Sequence, residues 1–303
     1  MFNRFLISPV IRARPSDRLC LRLLQWLHAT HAQTQHIPVA FSDGSFASWP
    51  DPPFPTIYFM PPSAQRRLLY LPLFFHEFGH LLYACHRQEM DDLVRGLQQT
   101  ISEYLEPSVQ RDDAYAKRDR VRRNVIIETW FEWTQEIFCD AVGLIIGGPA
   151  FAHAFSMYLR MLGRDEYHLP PEHLSGREHP VSWLRIQLIA DRSRQIGLNG
   201  IAEMLESTWL AIATQMSINE DHHGFYISAL LPVIQQAIDD MLEEAAPQRF
   251  ESHEVDISTQ EIYSMSPVKL VNQAWQEFYS NTNGYGDWEK NAINTWLHTA
   301  KLF

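Results

Sequence analysis

Apolar residues recur every three or four positions along most of this chain, whereas the alternating patterns typical of strands are almost absent. Residues 19–27, for example, place leucines on one helix face after a Ser-Asp start signal. Comparable patterns predict helices that include 225–244 and 63–86, the latter with a kink or restart at Pro72 as an alternative, and only the apolar run at 56–60 is typical of a strand. We therefore predict a mainly α fold with at most a small sheet.

Length and composition exclude a disordered or fibrous chain. The 303 residues are 46% hydrophobic and 20% charged, and the glycines and prolines show no period. This length permits either one large domain or two smaller ones. We expect an N-terminal helix and Pro-rich segment over 1–56, a core over 57–196, and a helical C-terminal region over 197–303 packed on that core.

The net charge argues against nucleic acid as a partner. Lysine and arginine total 25 and aspartate and glutamate total 36, which gives −11. Such a chain repels phosphate backbones unless it carries a local basic stripe. The basic residues between Lys117 and Arg123 are interspersed with other types, so we interpret them as a solvated helix face.

Cysteine usage and hydropathy predict a soluble cytoplasmic protein. Cys20, Cys85 and Cys139 are odd in number and far apart, which favours a reducing compartment. The start of the chain lacks the features of a secretory signal. The longest apolar stretch, 141–155, is shorter than the roughly 20 residues that a spanning helix needs, and Gly147-Gly148-Pro149 within it predicts the end of a helix.

A short motif in the predicted helix 63–86 points to metal chemistry. It reads His76-Glu77-Phe78-Gly79-His80. At 3.6 residues per turn, both imidazoles stand on one helix face and can reach one ion, while Glu77 stands beside that ion as a candidate base for activated water. The flanking residues are strongly apolar, and burying these polar groups is costly unless something pairs them. A metal-free histidine pair with Glu77 as its hydrogen-bond partner is the alternative.

A third ligand is needed for a catalytic zinc, and a later helix offers one. Glu132, Glu136 and Asp140 recur at i, i+4 and i+8 in an aromatic-rich segment. If Glu136 ligates the metal, Asp140 can accept the outer N–H of a ligand histidine and so fix its tautomer. Asp140 as the ligand, or an acidic helix edge without metal, remain alternatives.

Together these motifs resemble the gluzincin metallopeptidases. HEFGH, then EIFCDAVG, then HPVSWLR are most similar to the branch that includes the CAAX prenyl endopeptidase and the HtpX-type proteases. The resemblance implies a zincin-like core in which His76, His80 and Glu136 bind Zn²⁺, Glu77 is the general base and Asp140 supports the site.

The third motif matches less closely and adds His179 and Arg185. The resemblance implies that His179 contacts the transition state and that Arg185 is structural or faces the site. It covers roughly residues 57–185. Membrane-embedded members of that branch have spanning helices, and this sequence shows none.

Three functions are compatible with these patterns. The first is a zinc-dependent peptidase acting on a peptide or protein substrate, with Glu77 and His179 as catalytic residues. The second is a metal-binding helical module that regulates or interacts with little hydrolysis. The third is a chance motif without metal, which requires Glu136 to lie far from the histidines. The oligomeric state is not encoded in any pattern.

Overall fold

The fold is mainly helical with one small sheet, as predicted. The computed structural model describes residues 17–34, 37–52, 54–106, 114–163, 167–219, 221–255 and 265–299. The helices of four residues or more are α1 (Arg18–Thr30), α2 (Leu73–Cys85), α3 (Arg87–Leu105), α4 (Ala114–Gly147), α5 (Pro149–Met161), α6 (Pro171–Leu174), α7 (Ser182–Gln195), α8 (Asn199–Gln215), α9 (Leu231–Ala245), α10 (Ser252–Val255), α11 (Pro267–Ser280) and α12 (Tyr285–Thr299). Within these ranges, no helix is both long and apolar enough to cross a membrane.

The sheet has three short strands, β1 (Val39–Ser42), β2 (Ala47–Trp49) and β3 (Ile57–Met60), in the order β1-β3-β2. Strand β3 confirms the predicted strand and pairs parallel with β1 and antiparallel with β2. Its alternate residues Tyr58 and Met60 are buried. Strand β2 lies beside α2, where the Ser48 hydroxyl donates to the Glu77 carbonyl over 3.0 Å.

Two predicted helices begin later than the apolar pattern suggested. Instead of one helix from 63, two 3₁₀ turns, Pro62–Ala64 and Leu68–Tyr70, precede α2. Pro72 explains the break, because proline has no N–H and its ring clashes with the carbonyl four residues back. Pro232 acts in the same way near the start of α9, which begins at Leu231 rather than at 225.

The chain divides into two compact units. The first comprises the described residues of Met1–Cys85, Val142–Phe155 and Pro247–Phe303. The second comprises those of His86–Ala141 and Ser156–Ala246. The predicted domain limits at 56 and 196 stay predictions.

In the first unit, α2 is buried along most of its length. The rings of His28 and His31 meet Phe78 edge-on, with centroids 5.6 and 4.8 Å away. His31 Nδ1 lies 2.7 Å from the Leu27 carbonyl, and its Nε2 accepts from the Gln248 amide over 3.0 Å. One acceptor and one donor fix His31 as the neutral Nδ1–H tautomer. Burial accordingly lowers its pKa.

A buried carboxylate fixes the chain just before α2. Glu289 of α12 accepts from the Leu68 amide over 2.7 Å and from the Tyr285 hydroxyl over 2.8 Å. Its other oxygen lies 3.0 Å from the Arg67 guanidinium. These bonds hold the Leu68–Tyr70 turn, from which α2 continues.

Helix α4 stops where the sequence predicts, at Gly147-Gly148-Pro149. Gly148 adopts a φ of 58°, which glycine tolerates and other residues rarely do. Gly143 allows a close approach, because a Cβ there would lie 2.4 Å from the Phe151 ring. Asn272 of α11 stabilises the same turn, since it donates to the Gly147 carbonyl and accepts from the Ala150 amide, each over 3.0 Å.

In the second unit, α7 packs on α8 and α3 packs on α9. Buried tryptophans connect the helices to the loops. The Trp209 indole donates to Ser156 Oγ over 2.9 Å, and the Trp130 indole donates to the Phe225 carbonyl over 2.7 Å. The ring of Tyr167 contacts both Trp183 and Trp209, at centroid distances of 6.0 and 4.6 Å.

His153 of α5 makes the stability of the protein dependent on pH. Its ring stacks on Trp275, and its Nδ1 lies 3.2 Å from the Tyr279 hydroxyl. Burial lowers the pKa of His153 to about 4. The His153 side chain is therefore protonated near pH 6.5 in the unfolded chain but stays neutral in the folded chain until the pH approaches 4. Part of the stability that the folded protein has above pH 6.5 is consequently lost as the pH falls from 6.5 towards 4.

We expect His153→Gln to remove this loss. Between pH 7.5 and pH 5, the wild-type chain should lose about 2 kcal/mol more unfolding free energy than the variant. Urea unfolding of both proteins at the two pH values measures the difference. Equal pH dependence in the two proteins would contradict it.

Candidate metal centre

Two histidines stand on one face of α2, as the HEFGH spacing predicts. The His76 side chain is buried and His80 is half-buried. Their ring centroids lie 5.1 Å apart at an interplanar angle of 88°, and His76 stacks on Phe155. The helix that carries them is apolar on all sides, which brings both imidazoles into the interior.

Glu136 of α4 completes a group that could hold a metal ion. One ligand atom from each of His76, His80 and Glu136 lies within 4.8 Å of the other two. Among the described residues, these three form the one such group of histidine, cysteine and carboxylate side chains. The chance-motif hypothesis required Glu136 to lie far away, so this geometry contradicts it. The metal-free histidine pair remains an alternative until a metal is measured.

Asp140, one turn beyond Glu136, is paired with Arg185 of α7. The Arg185 Nε donates to Asp140 Oδ2 and its Nη2 donates to Oδ1, each over 2.7 Å. This bidentate pair is buried, with side-chain exposures of 5% for Arg185 and 2% for Asp140. Burial by itself lowers the pKa of Arg185, but the charges of Asp140 and Glu136 outweigh it and raise that pKa overall.

The same guanidinium also contacts the candidate ligand. Arg185 Nη2 lies 3.2 Å from Glu136 Oε2, and His179 Nε2 lies 3.3 Å from the same oxygen. Arg185 therefore holds both acidic residues of the E-x-x-x-D motif in one orientation. That Asp140 accepts the N–H of a ligand histidine stays a prediction.

His179 lies in the loop between α6 and α7, and its side chain is 46% exposed. Two contacts from α4 fix this loop. The Trp133 indole donates to the Arg177 carbonyl over 3.1 Å, and the Gly176 amide donates to Thr129 Oγ1 over 3.2 Å. Neither contact was predicted from the sequence, although Trp133 lies one helical turn before Glu136.

Glu77 is buried, as expected of a residue next to the two histidines. Its charge acts on Tyr58 of β3, whose pKa is raised well above the usual value by burial first and by Glu77 second. The Tyr58 hydroxyl lies 3.1 Å from His28 Nε2. That Glu77 acts as a general base stays a prediction.

The remaining acidic residue of the stripe, Glu132, is exposed, unlike Glu136 and Asp140, which are buried. Partial burial raises the pKa of Glu132, and the neighbouring charges of Glu178 and Glu136 raise it further. Cys139 is buried.

No protein-family model matches the chain, and comparisons with curated proteins and with solved structures found no similar protein. The resemblance to gluzincins therefore depends on the three sequence motifs and stays a prediction.

Proposed function

We propose that this protein is a zinc-dependent metallopeptidase of the gluzincin type, with a peptide or protein as its substrate. One observation carries the proposal: His76, His80 and Glu136 present their ligand atoms within 4.8 Å of one another. Two imidazoles and one carboxylate, with room for a water, form the ligand set of several zinc peptidases.

The charges of the site suit a divalent cation. Glu136 and Asp140 bring two negative charges and Arg185 one positive charge, so this buried trio carries a net −1. Buried charge of this kind is costly without a counter-ion. Nitrogen and oxygen ligands in this number favour zinc among the common divalent ions, while calcium and magnesium prefer oxygen alone.

When bound, zinc supplies Lewis acidity that activates water and polarises a carbonyl. Glu77 then accepts the proton of the attacking water and passes it to the leaving amine. His179, on an exposed part of its loop, donates to the oxygen on which negative charge develops. Arg185 and Asp140 keep the Glu136 carboxylate in place throughout.

The cysteines support a cytoplasmic location for this activity. Cys20 and Cys139 are buried and Cys85 is half-buried, and none of the three forms a disulfide among the described residues. Burial raises the pKa of the Cys20 and Cys85 thiols, which lowers their reactivity. Free cysteines are typical of reducing compartments.

Hydrolysis should depend reversibly on the metal. We expect the zinc-loaded chain to cleave fluorescently labelled, denatured casein, to lose this activity with 1,10-phenanthroline, and to regain it with added zinc. Release of labelled peptides measures the rate. Zinc binding without any cleavage would favour the alternative of a metal-binding helical module, and cleavage that the chelator leaves unchanged would contradict the proposal.

A further inference from the structure

Four side chains outside the metal centre form a cluster where two loops of the second unit meet. His223 and Asp221 belong to the loop between α8 and α9, and His168 belongs to the loop between α5 and α6. His222 lies beside them. The His168 and His223 rings meet edge-on, with centroids 5.2 Å apart.

Both nitrogens of the His223 ring face acceptors. Nε2 lies 3.0 Å from the Leu169 carbonyl, and Nδ1 lies 3.3 Å from Asp221 Oδ2. A neutral imidazole has one N–H and one lone pair, so either tautomer turns a lone pair towards an oxygen. The protonated ring keeps the N–H for the Leu169 carbonyl and adds a positive charge beside the Asp221 carboxylate. His31 shows the opposite arrangement, because its second nitrogen faces an amide donor.

The backbone of His223 is held independently of its ring. Its φ is 49°, in the left-handed region that few residues other than glycine adopt. Its amide donates to Asp221 Oδ1 over 2.7 Å, and Arg122 of α4 donates to its carbonyl over 2.6 Å. Because these two bonds do not require a charged ring, protonation changes chiefly the bonds to Leu169 and Asp221.

The charged neighbours determine whether protonation of His223 strengthens or weakens its contact with Asp221. The backbone bond from His223, and then the charges of His223, His168 and His222, lower the pKa of Asp221, so it stays ionised where histidines titrate. Arg122, His168 and His222 bring like or potential like charge close to this site, and positive charge on them opposes the charged His223 ring.

We propose that His223 is a proton-operated latch, which ties the α8–α9 loop to the α5–α6 loop through Leu169 and Asp221 when its ring is charged. The α8–α9 loop also attaches to α4 near Glu136. Trp130 binds the Phe225 carbonyl, and the Trp133 ring packs against Phe225, with centroids 5.7 Å apart. The latch is a regulatory property of these loops, and it does not depend on the proposed peptidase activity.

Hydrogen exchange of the whole chain tests the latch without any activity assay. Protection factors, corrected for the intrinsic pH dependence of exchange, are compared at about pH 6 and about pH 8, on either side of the histidine range. For amides in 167–170 and 221–226, we expect wild-type protection to be about two- to five-fold higher at the lower pH, as for a partly exposed ion pair.

Two variants remove the latch in different ways. His223→Asn keeps a residue that tolerates the left-handed backbone, and Asp221→Asn keeps an acceptor for the His223 amide. Both variants should lose the difference in amide protection between the two pH values, whereas His173→Asn, at an exposed histidine of α6, should retain that difference. Wild-type protection that does not change with pH, or a change that survives in both latch variants, would overturn the proposal.

Discussion

Replacement of Glu77 by glutamine is expected to reduce peptide hydrolysis by about 10²- to 10⁴-fold while zinc stays bound. Glutamine has nearly the same shape as glutamate but cannot accept a proton from water. Because Glu77 lies between the candidate ligands rather than among them, the metal should be unaffected. Initial rates on labelled casein and the zinc content of the same preparation give both values.

The control for this variant is Glu203→Gln, which makes the same chemical change at an exposed position of α8. It should leave both the rate and the zinc content unchanged. A Glu77→Gln protein that cleaves as fast as the wild type would show that Glu77 is not the general base. Loss of zinc together with activity would instead place Glu77 among the ligands.

Removal of the Arg185 guanidinium should lower the unfolding free energy of the protein more than any other substitution proposed for this site. In Arg185→Met, the Asp140 carboxylate remains buried without its bidentate partner. An uncompensated buried charge of this kind typically costs about 3–5 kcal/mol of unfolding free energy. Urea unfolding at neutral pH measures the loss.

Arg194→Met is a suitable control, because Arg194 is on the same helix and also pairs with carboxylates, Asp191 and Glu206, but is 39% exposed. An exposed pair contributes up to about 1 kcal/mol, so its loss should be small. The double variant Arg185→Met with Asp140→Leu should recover much of the stability, since both charges are then absent. Similar small losses for Arg185→Met and Arg194→Met would refute the assignment of a buried structural pair.

The sequence predicted most of the helices because their signals are local. The period of apolar residues and the Gly147-Gly148-Pro149 stop act within a few residues, and α4 ends there as expected. Proline positions explain why two helices begin later than the period of apolar residues indicates. The apolar period continues on both sides of Pro72 and Pro232, but the helix does not. The pairing of β1 with β3 rather than with its chain neighbour β2 has no local signal, because strand order depends on contacts made by the folded chain.

The metal group was predictable for a similar reason. His76 and His80 are related by one helical turn, and Glu136 belongs to a recognisable spacing with Asp140. The partner of the Asp140 carboxylate was not predictable from spacing, because Arg185 is 45 residues away and the pattern records no distance between helices. The contact of Trp133 with the loop of His179 and the proton requirement of His223 are likewise set by tertiary structure.

Zinc content tests the central claim most directly. The full chain is equilibrated with zinc, dialysed without chelator and analysed by mass spectrometry of the metal, alongside His76→Ala and a control, His173→Ala, at the exposed histidine of α6. A three-ligand site of this kind predicts about one zinc per chain in the wild type and in His173→Ala, and almost none in His76→Ala. A wild-type chain without stoichiometric zinc, or a His76→Ala variant that retains it, would contradict the account.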